Sequence, residues 1–257
     1  MQIDADTVLE MVSAYIWPFI RIAAIFTLTP ILGTRLIPKR TRIGLALALT
    51  VIIVPIIPPT PDIDPISLQG LLVTANQLLI GFIMGFMIRM VFSAIETGGQ
   101  MIAMTMGLGF AQMNDPANGI TVPVISQFYT ILATLIFLAL NGHLILIRVL
   151  VESFSTMPIA SFSIDNNVLW MLLTWAGWIF KGAVLIALPA VTALLLVNIA
   201  FGVMMRAAPQ LNVFAIGFPI TLMLGFVFIL VSLPVFLPQF SRLLDSSFRT
   251  LGAMIGG

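Results

Sequence analysis

The stretch ISLQGLLVTANQLLIGFIMGFMIRMVFSAIE, residues 66–96, decides the fold class of this chain. It is apolar over nearly its whole length, and its only charged residues, Arg89 and Glu96, lie near its end. A membrane-spanning helix needs about 20 such residues, whereas a membrane-spanning strand needs about 10. The length of the run therefore predicts a helix and argues against a strand.

Comparable apolar stretches recur along the rest of the chain, separated by turns rich in proline and glycine. They are again too long for strands. The predicted fold is therefore all-α, with integral membrane-type helical hairpins built from about six apolar segments. The other five segments are residues 11–32, 43–59, 120–150, 168–205 and 211–238.

The composition points to a membrane-type protein. Hydrophobic residues make up 60% of the 257 residues and charged residues only 8%, whereas soluble domains are about 25% charged. A bilayer or partner subunits must therefore cover much of the apolar surface. The net charge of +1 gives no reason to expect nucleic-acid binding, and the absence of cysteine excludes disulfides and thiolate metal sites.

The basic residues predict a topology. The linker TRLIPKRTR, residues 34–42, carries four basic residues and no acid, whereas residues 1–10 and 61–65 carry only acidic charge. Positively charged loops stay in the cytoplasm. We therefore expect residues 35–42 and the turn at 206–212 to face the cytoplasm, and the N-terminus to lie outside.

Residues 98–119, GGQMIAMTMGLGFAQMNDPANG, follow the long apolar run and differ from it. No charge occurs between Gly98 and Asn114, but glycines, methionines and polar side chains are mixed. With its glycines the stretch is predicted to be too flexible for a plain buried helix, and it is too apolar for a plain loop. From the residues alone two interpretations remain open: a membrane hairpin in which Gly and Met help packing, or a deformable apolar seal.

Several charged residues lie within or at the ends of the apolar segments. Arg21 and Lys181 have apolar residues on both sides, and a charge at mid-bilayer costs at least about 2.5–3.5 kcal/mol. We expect both to face another subunit or a watery cavity. Two further pairs share a helical face at spacings of four and seven, so local pairing or snorkelling could account for them. These pairs are Arg148 with Glu152 and Arg89 with Glu96.

Helix breakers and small residues add to this pattern. Gly81 and Gly85 form a GxxxG motif that allows close approach of a second helix. Five prolines interrupt apolar stretches, which lipid alone tolerates poorly and neighbouring protein tolerates better. They are Pro18, Pro55, Pro189, Pro219 and Pro234.

The residues that would carry catalysis are missing from the sequence. The single histidine, His143 beside Asn141, cannot complete a zinc site or a Ser–His–Asp triad. We interpret it as a hydrogen-bonded structural residue. No phosphate-binding loop and no paired carboxylates occur, so the sequence predicts a protein that is not an enzyme and needs no cofactor or metal.

Three blocks in order carry a family resemblance over nearly the whole chain. They are FIRIAAIFTLTPILGTRLIPKRTRIGLALALTVIIVP, GQMIAMTMGLGFAQMNDPANGITVPVISQF and LATLIFLALNGHLILIRVLVESFSTMPI, and the ending RAAPQLNVFAIGFPI adds to them. With these blocks the chain resembles the FliR family of flagellar type III export-gate proteins. Related injectisome proteins are similar but match the central block less closely.

The resemblance implies a place in a larger assembly. FliR-like proteins join FliP-like and FliQ-like subunits in a channel for unfolded flagellar proteins, in the inner membrane at the flagellar basal body. An FlhB-like protein is a further expected partner. Residues 1–165 would be similar to FliP and residues 166–257 to the FliQ hairpin.

The resemblance also implies a role for residues 101–113, which we name the plug segment: it would close the pore. Arg21, Arg89, Glu96 and Lys181 would then lie at subunit interfaces instead of in lipid. Two hypotheses compete with the export-gate function: a small-solute secondary transporter and a membrane scaffold without a pore. The residues implied in the plug are Met101, Met104, Met106, Gly107, Gly109, Phe110 and Met113.

Overall fold

Long helices dominate the computed structural model, which describes residues 5–61, 63–109, 112–114, 121–159, 166–207 and 213–256. One antiparallel ribbon accompanies them, formed by β1 (Gln112–Asn114) and β2 (Thr121–Pro123). The all-α prediction is confirmed. The helices are α1 (Ala5–Leu28), α2 (Lys39–Ile53), α3 (Leu68–Thr105), α4 (Val124–Ala139), α5 (Gly142–Thr156), α6 (Asn166–Ala176), α7 (Trp178–Ala207) and α8 (Val213–Gly256).

Among the residues that the structure describes, three helical stretches are long and apolar enough to cross a membrane: Leu68–Thr105, Asn166–Ala207 and Gly217–Gly256. The count becomes four if the bent pair α4 and α5 forms one span. The pair is broken at Asn141, whose φ of 56° is left-handed, a conformation that asparagine tolerates better than most residues. The fourth apolar stretch is therefore two helices.

Four of the five prolines that interrupt the apolar stretches lie inside helices. Pro18 lies inside α1, Pro189 inside α7, and Pro219 and Pro234 inside α8. A proline removes one backbone hydrogen bond and bends a helix, but a long apolar helix can continue past it. Pro55 is different, because α2 ends at Ile53 just before it.

One compact unit consists of Met1–Arg89, Leu140–Ala176 and Ser246–Gly257. The GxxxG glycines of α3 lie against α1 in this unit. A Cβ at Gly81 would lie 2.5 Å from the Arg21 carbonyl oxygen, and one at Gly85 would lie 2.9 Å from that of Ile25. Only glycine permits this approach, so the motif serves helix packing within the chain.

The second compact unit consists of Met90–Ala139 and Gly177–Asp245. Aromatic rings join α3, α4 and α8 in its core. Phe92 lies edge-on to Phe137 and Phe240, with ring centroids 5.8 and 6.0 Å away. Phe236 continues the cluster between Phe240 and Tyr129. The proposed likeness of residues 1–165 to FliP and of 166–257 to FliQ is a separate matter and stays a prediction.

Candidate functional site

The first part of the glycine-rich stretch continues helix α3 as far as Thr105. The expectation that this stretch is too flexible for a plain buried helix is therefore not met for residues 98–105. Gly98 and Gly99 are buried because other backbones lie on them: a Cβ at Gly99 would be 2.6 Å from Ser126 Cα, and one at Gly98 would be 3.0 Å from the Ala183 carbonyl oxygen. These two glycines serve close packing.

Gly107 ends helix α3 in a defined way. Its φ of 81° is left-handed. Its N–H donates to the Met104 carbonyl at 3.1 Å, and the N–H of Leu108 donates to the Ala103 carbonyl at 2.9 Å. These two bonds are the pair that defines a Schellman motif, with Gly107 at the left-handed position. Gly107 is therefore a stop signal for the helix as well as a member of the plug segment.

The methionines of the plug segment face different surroundings. Met106 is fully buried, whereas Met104 is 69% exposed and Met113 is 38% exposed. The side chain of Met106 lies on Gly225 of α8, where an added Cβ would come within 2.5–2.9 Å of its outer atoms. Gly109 folds back beside Met104 Sδ. Met101 is half-buried in α3. The described methionines of the predicted set thus range from buried to exposed, and Phe110 lies outside the described residues.

A cavity of about 290 Å³ opens beside the end of α3, within the second compact unit. Asn198 of α7 lies on its wall and donates from Nδ2 to the Thr105 carbonyl at 3.3 Å. Beyond the cavity the chain forms the β1–β2 ribbon, in which Met113 pairs with Val122. The residues that line the cavity are Met104, Thr105, Met106, Gly107, Asn198, Phe201, Met205, Gly217, Phe218 and Thr221.

Arg21 is fully buried inside the first unit. Its Nε donates to Gln77 Oε1 at 2.7 Å, and its Nη2 donates to the Met157 carbonyl at 2.8 Å. Its Nη1 donates to both the carbonyl and the Oγ of Ser153, and its guanidinium lies 4.3 Å from the Phe154 ring centroid. We expected another subunit or water around this charge, but its own chain provides the partners.

The other charged side chains keep more exposure. Lys181 is exposed, and its Nζ lies 4.1 Å from the Trp178 ring centroid, a cation–π arrangement. The predicted pair of Arg148 with Glu152 is confirmed at 3.0 Å. Arg89 and Glu96 are half-buried. That Lys181, Arg89 and Glu96 lie at subunit interfaces stays a prediction.

His143 lies at the start of α5, just after the left-handed Asn141. Its Nδ1 is buried, and no hydrogen-bond partner for it occurs among the described residues. The expected hydrogen-bonded role is thus not seen at this nitrogen. Within the described part of the chain, no group of three or more His, Cys, Asp or Glu residues could hold a metal ion.

Sequence reasoning missed the polar partners of these sites. Gln77, Ser153 and Asn198 were not singled out, although Gln77 and Asn198 stand in apolar runs. A polar side chain inside an apolar helix costs free energy unless it finds a partner. The presence of a polar side chain in an apolar run was therefore enough to mark Gln77 and Asn198 as candidate hydrogen-bonding residues.

These features define a helical membrane-type protein with a buried arginine network and a Met- and Gly-rich helix end. The family model described as "Bacterial export proteins, family 1" matches residues 12–247, and the chain belongs to this family. Relatives with the name FliR confirm the resemblance to the FliR family.

Relatives from distant bacteria support the assignment. The "Flagellar biosynthetic protein FliR" of Escherichia coli K12 is 37% identical over 99% of this chain and 97% of its own length. The protein of the same name from Aquifex aeolicus is 35% identical, over 90% of this chain and 89% of its own length. That from Bacillus subtilis is 30% identical, over 90% of both chains.

Proposed function

We propose that this chain is a subunit of the flagellar type III export gate in the bacterial inner membrane, at the flagellar basal body. With FliP-like and FliQ-like subunits, and with an FlhB-like protein nearby, it would form the channel for unfolded flagellar proteins. The names of its relatives and its membership of an export family support this assignment. The protein would act as a structural part of the gate and not as an enzyme.

The apolar surface of α7 and α8 is the observation that carries the assembly proposal. In the most apolar 18-residue stretch of Asn166–Ala207, only 22% of the residues are buried, and in that of Gly217–Gly256 only 28%. Water cannot cover such surfaces, so lipid or partner subunits must do so. Large exposed side chains on these helices include Phe180, Leu196, Val203, Met223, Leu230 and Val231.

Within this assembly the plug segment would close the pore. Its described part offers the exposed apolar side chains of Met104 and Met113, and methionine adapts to many surfaces. An apolar constriction can exclude ions by dewetting and still be displaced by a passing chain. Its first residues, 101–105, form the end of α3, and the left-handed Gly107 stops that helix.

Co-purification tests the assembly. The chain should be recovered in a stable hetero-complex when it is produced with the FliP-like and FliQ-like subunits of the same bacterium, and should aggregate without them. A small-solute transporter would instead be stable alone and would take up solute in vesicles. Recovery of a monodisperse, transport-active protein without partners would overturn the proposal.

Conductance tests the plug. Deletion of residues 105–109, centred on Gly107, should leave the hetero-complex assembled but make it leak ions in planar bilayers. A matched deletion of residues 56–60, in the turn after α2, removes the same length from a different loop and should leave the complex closed. An assembled complex that stays closed after the 105–109 deletion would show that this stretch only packs.

A further inference from the structure

The carbonyl of Thr105 has a special position at the end of α3. The Schellman motif uses the carbonyls of Ala103 and Met104, and the N–H of Met106 uses that of Ile102. The Thr105 carbonyl instead accepts the hydrogen bond from Asn198 Nδ2 on α7, at 3.3 Å. A side chain 93 positions away thus completes the cap of this helix end.

Asn198 is a polar side chain in the apolar run LLLVNIAF, residues 194–201, of an exposed helix. Removing an amide from water without a partner costs free energy, and so does leaving a carbonyl unpaired in apolar surroundings. One hydrogen bond between Asn198 and Thr105 satisfies both groups. The bond forms only while the end of α3 lies beside α7. Asn198 is exposed on the surface of the chain, so the bond is strongest where lipid or partner subunits cover it.

Helix α8 also packs against the end of α3. Met106 is fully buried on Gly225. An added Cβ at Gly107 would lie 3.2 Å from the ring of Phe218. The base of the plug segment is thus held by one hydrogen bond and by the packing of Met106 on Gly225, and the cavity of about 290 Å³ beside it leaves room for movement.

We propose that Asn198 is a latch: its hydrogen bond to the Thr105 carbonyl holds the base of the plug segment in the closed position, and its release frees the plug. This inference rests on the proposed function of residues 101–113 as a plug. Asn198 is a positioning residue, because it acts on the pore through α3. One interhelical hydrogen bond in a membrane shifts a two-state equilibrium by about threefold to tenfold.

The test compares variants of the assembled hetero-complex in planar bilayers. Asn198→Leu keeps the approximate size but removes the donor, and should raise the basal conductance about threefold to tenfold. Asn198→Gln keeps an amide donor and should restore part of the closure. Thr192→Val removes another polar group from an exposed position of α7 and is the control, which should leave conductance unchanged.

Cross-linking supplies a second readout that does not depend on the effect of a single substitution. The chain has no cysteine, so Thr105→Cys with Asn198→Cys introduces one pair. Oxidation should link these positions and reduce both basal conductance and export, and reductant should reverse the effect. A linked pair that leaves conductance and export unchanged would overturn the latch.

The outcomes separate the latch from the plug. If the deletion of 105–109 opens the complex but Asn198→Leu does not, the latch is wrong and the plug stands. If neither changes conductance, the plug is wrong and the latch falls with it. If Thr192→Val opens the complex as much as Asn198→Leu does, the effect is a general property of α7, and the latch is again overturned.

Discussion

The guanidinium of Arg21 donates from Nη1 to the backbone carbonyl of Ser153 at 2.8 Å, with both residues fully buried. Ser153 lies in the last turn of α5, and the Met157 carbonyl just beyond the helix accepts a second bond from Arg21. Carbonyls at the C-terminus of a helix carry partial negative charge and need donors. Arg21 of α1 therefore serves as the C-terminal cap of α5.

The cap predicts a stability loss when Arg21 is changed. Arg21→Met should lower the free energy of unfolding by about 3 kcal/mol, because it removes four buried hydrogen bonds and leaves Gln77 Oε1 and the Met157 carbonyl without the donor that Arg21 supplies. The Ser153 carbonyl keeps its bond from the Met157 N–H. Thermal unfolding of the purified hetero-complex measures this. Arg148→Ala, which breaks an exposed ion pair, is the control and should cost less than about 1 kcal/mol. Equal melting temperatures for the two variants would contradict the cap.

The GxxxG contact predicts opposite effects for two glycine substitutions in one unit. Gly81→Ala should destabilise the protein by about 1–3 kcal/mol, because the new Cβ meets the Arg21 carbonyl and Ala24 Cβ. Gly44→Ala in α2 meets nothing within 4 Å and should stabilise its helix by up to about 1 kcal/mol. The same unfolding measurement compares them, and a stabilising Gly81→Ala would refute the close contact.

The left-handed Gly107 predicts a graded response to substitution. Gly107→Val should disfavour the helix end by about 1–2 kcal/mol, because a β-branched residue resists that conformation. Under the plug proposal this raises basal conductance. Gly107→Asn should have a smaller effect, since asparagine enters the left-handed region more readily. Conductance measured on the two variant complexes shows which substitution has the larger effect. A larger effect for Gly107→Asn than for Gly107→Val would contradict the explanation from the left-handed backbone conformation.

The charge pattern predicts the side of the membrane on which two turns lie. Cysteine introduced at Arg40, or at Ala208 in the turn 206–212, should react with impermeant thiol reagents from the cytoplasmic side only. The natural chain has no cysteine, so it is its own unlabelled control. Ala208 lies outside the described residues, and Arg40 is exposed in the first turn of α2. Labelling from the outer side would reverse the topology.

The sequence alone determined the class of the fold, the family and one local ion pair. Runs as long as residues 66–96 leave only a helix as the regular structure, because every backbone group must bond within the segment in an apolar medium. The pairing of Arg148 with Glu152 followed from a spacing of four, which places both residues on one face of any helix. These conclusions depend only on neighbours along the chain.

The tertiary structure decided what each unusual residue does. Arg21 and Ser153 are 132 positions apart, so no local pattern could show that the charge caps a helix of its own chain. Gly98 and Gly99 suggested flexibility, but they allow backbones to approach, whereas Gly107 ends the helix. Asn198 meets Thr105 only after folding. The physical reason is that the sequence shows which polar groups need a hydrogen-bond partner and where a glycine leaves space. Only the packing of distant segments decides which residue becomes the partner or fills the space.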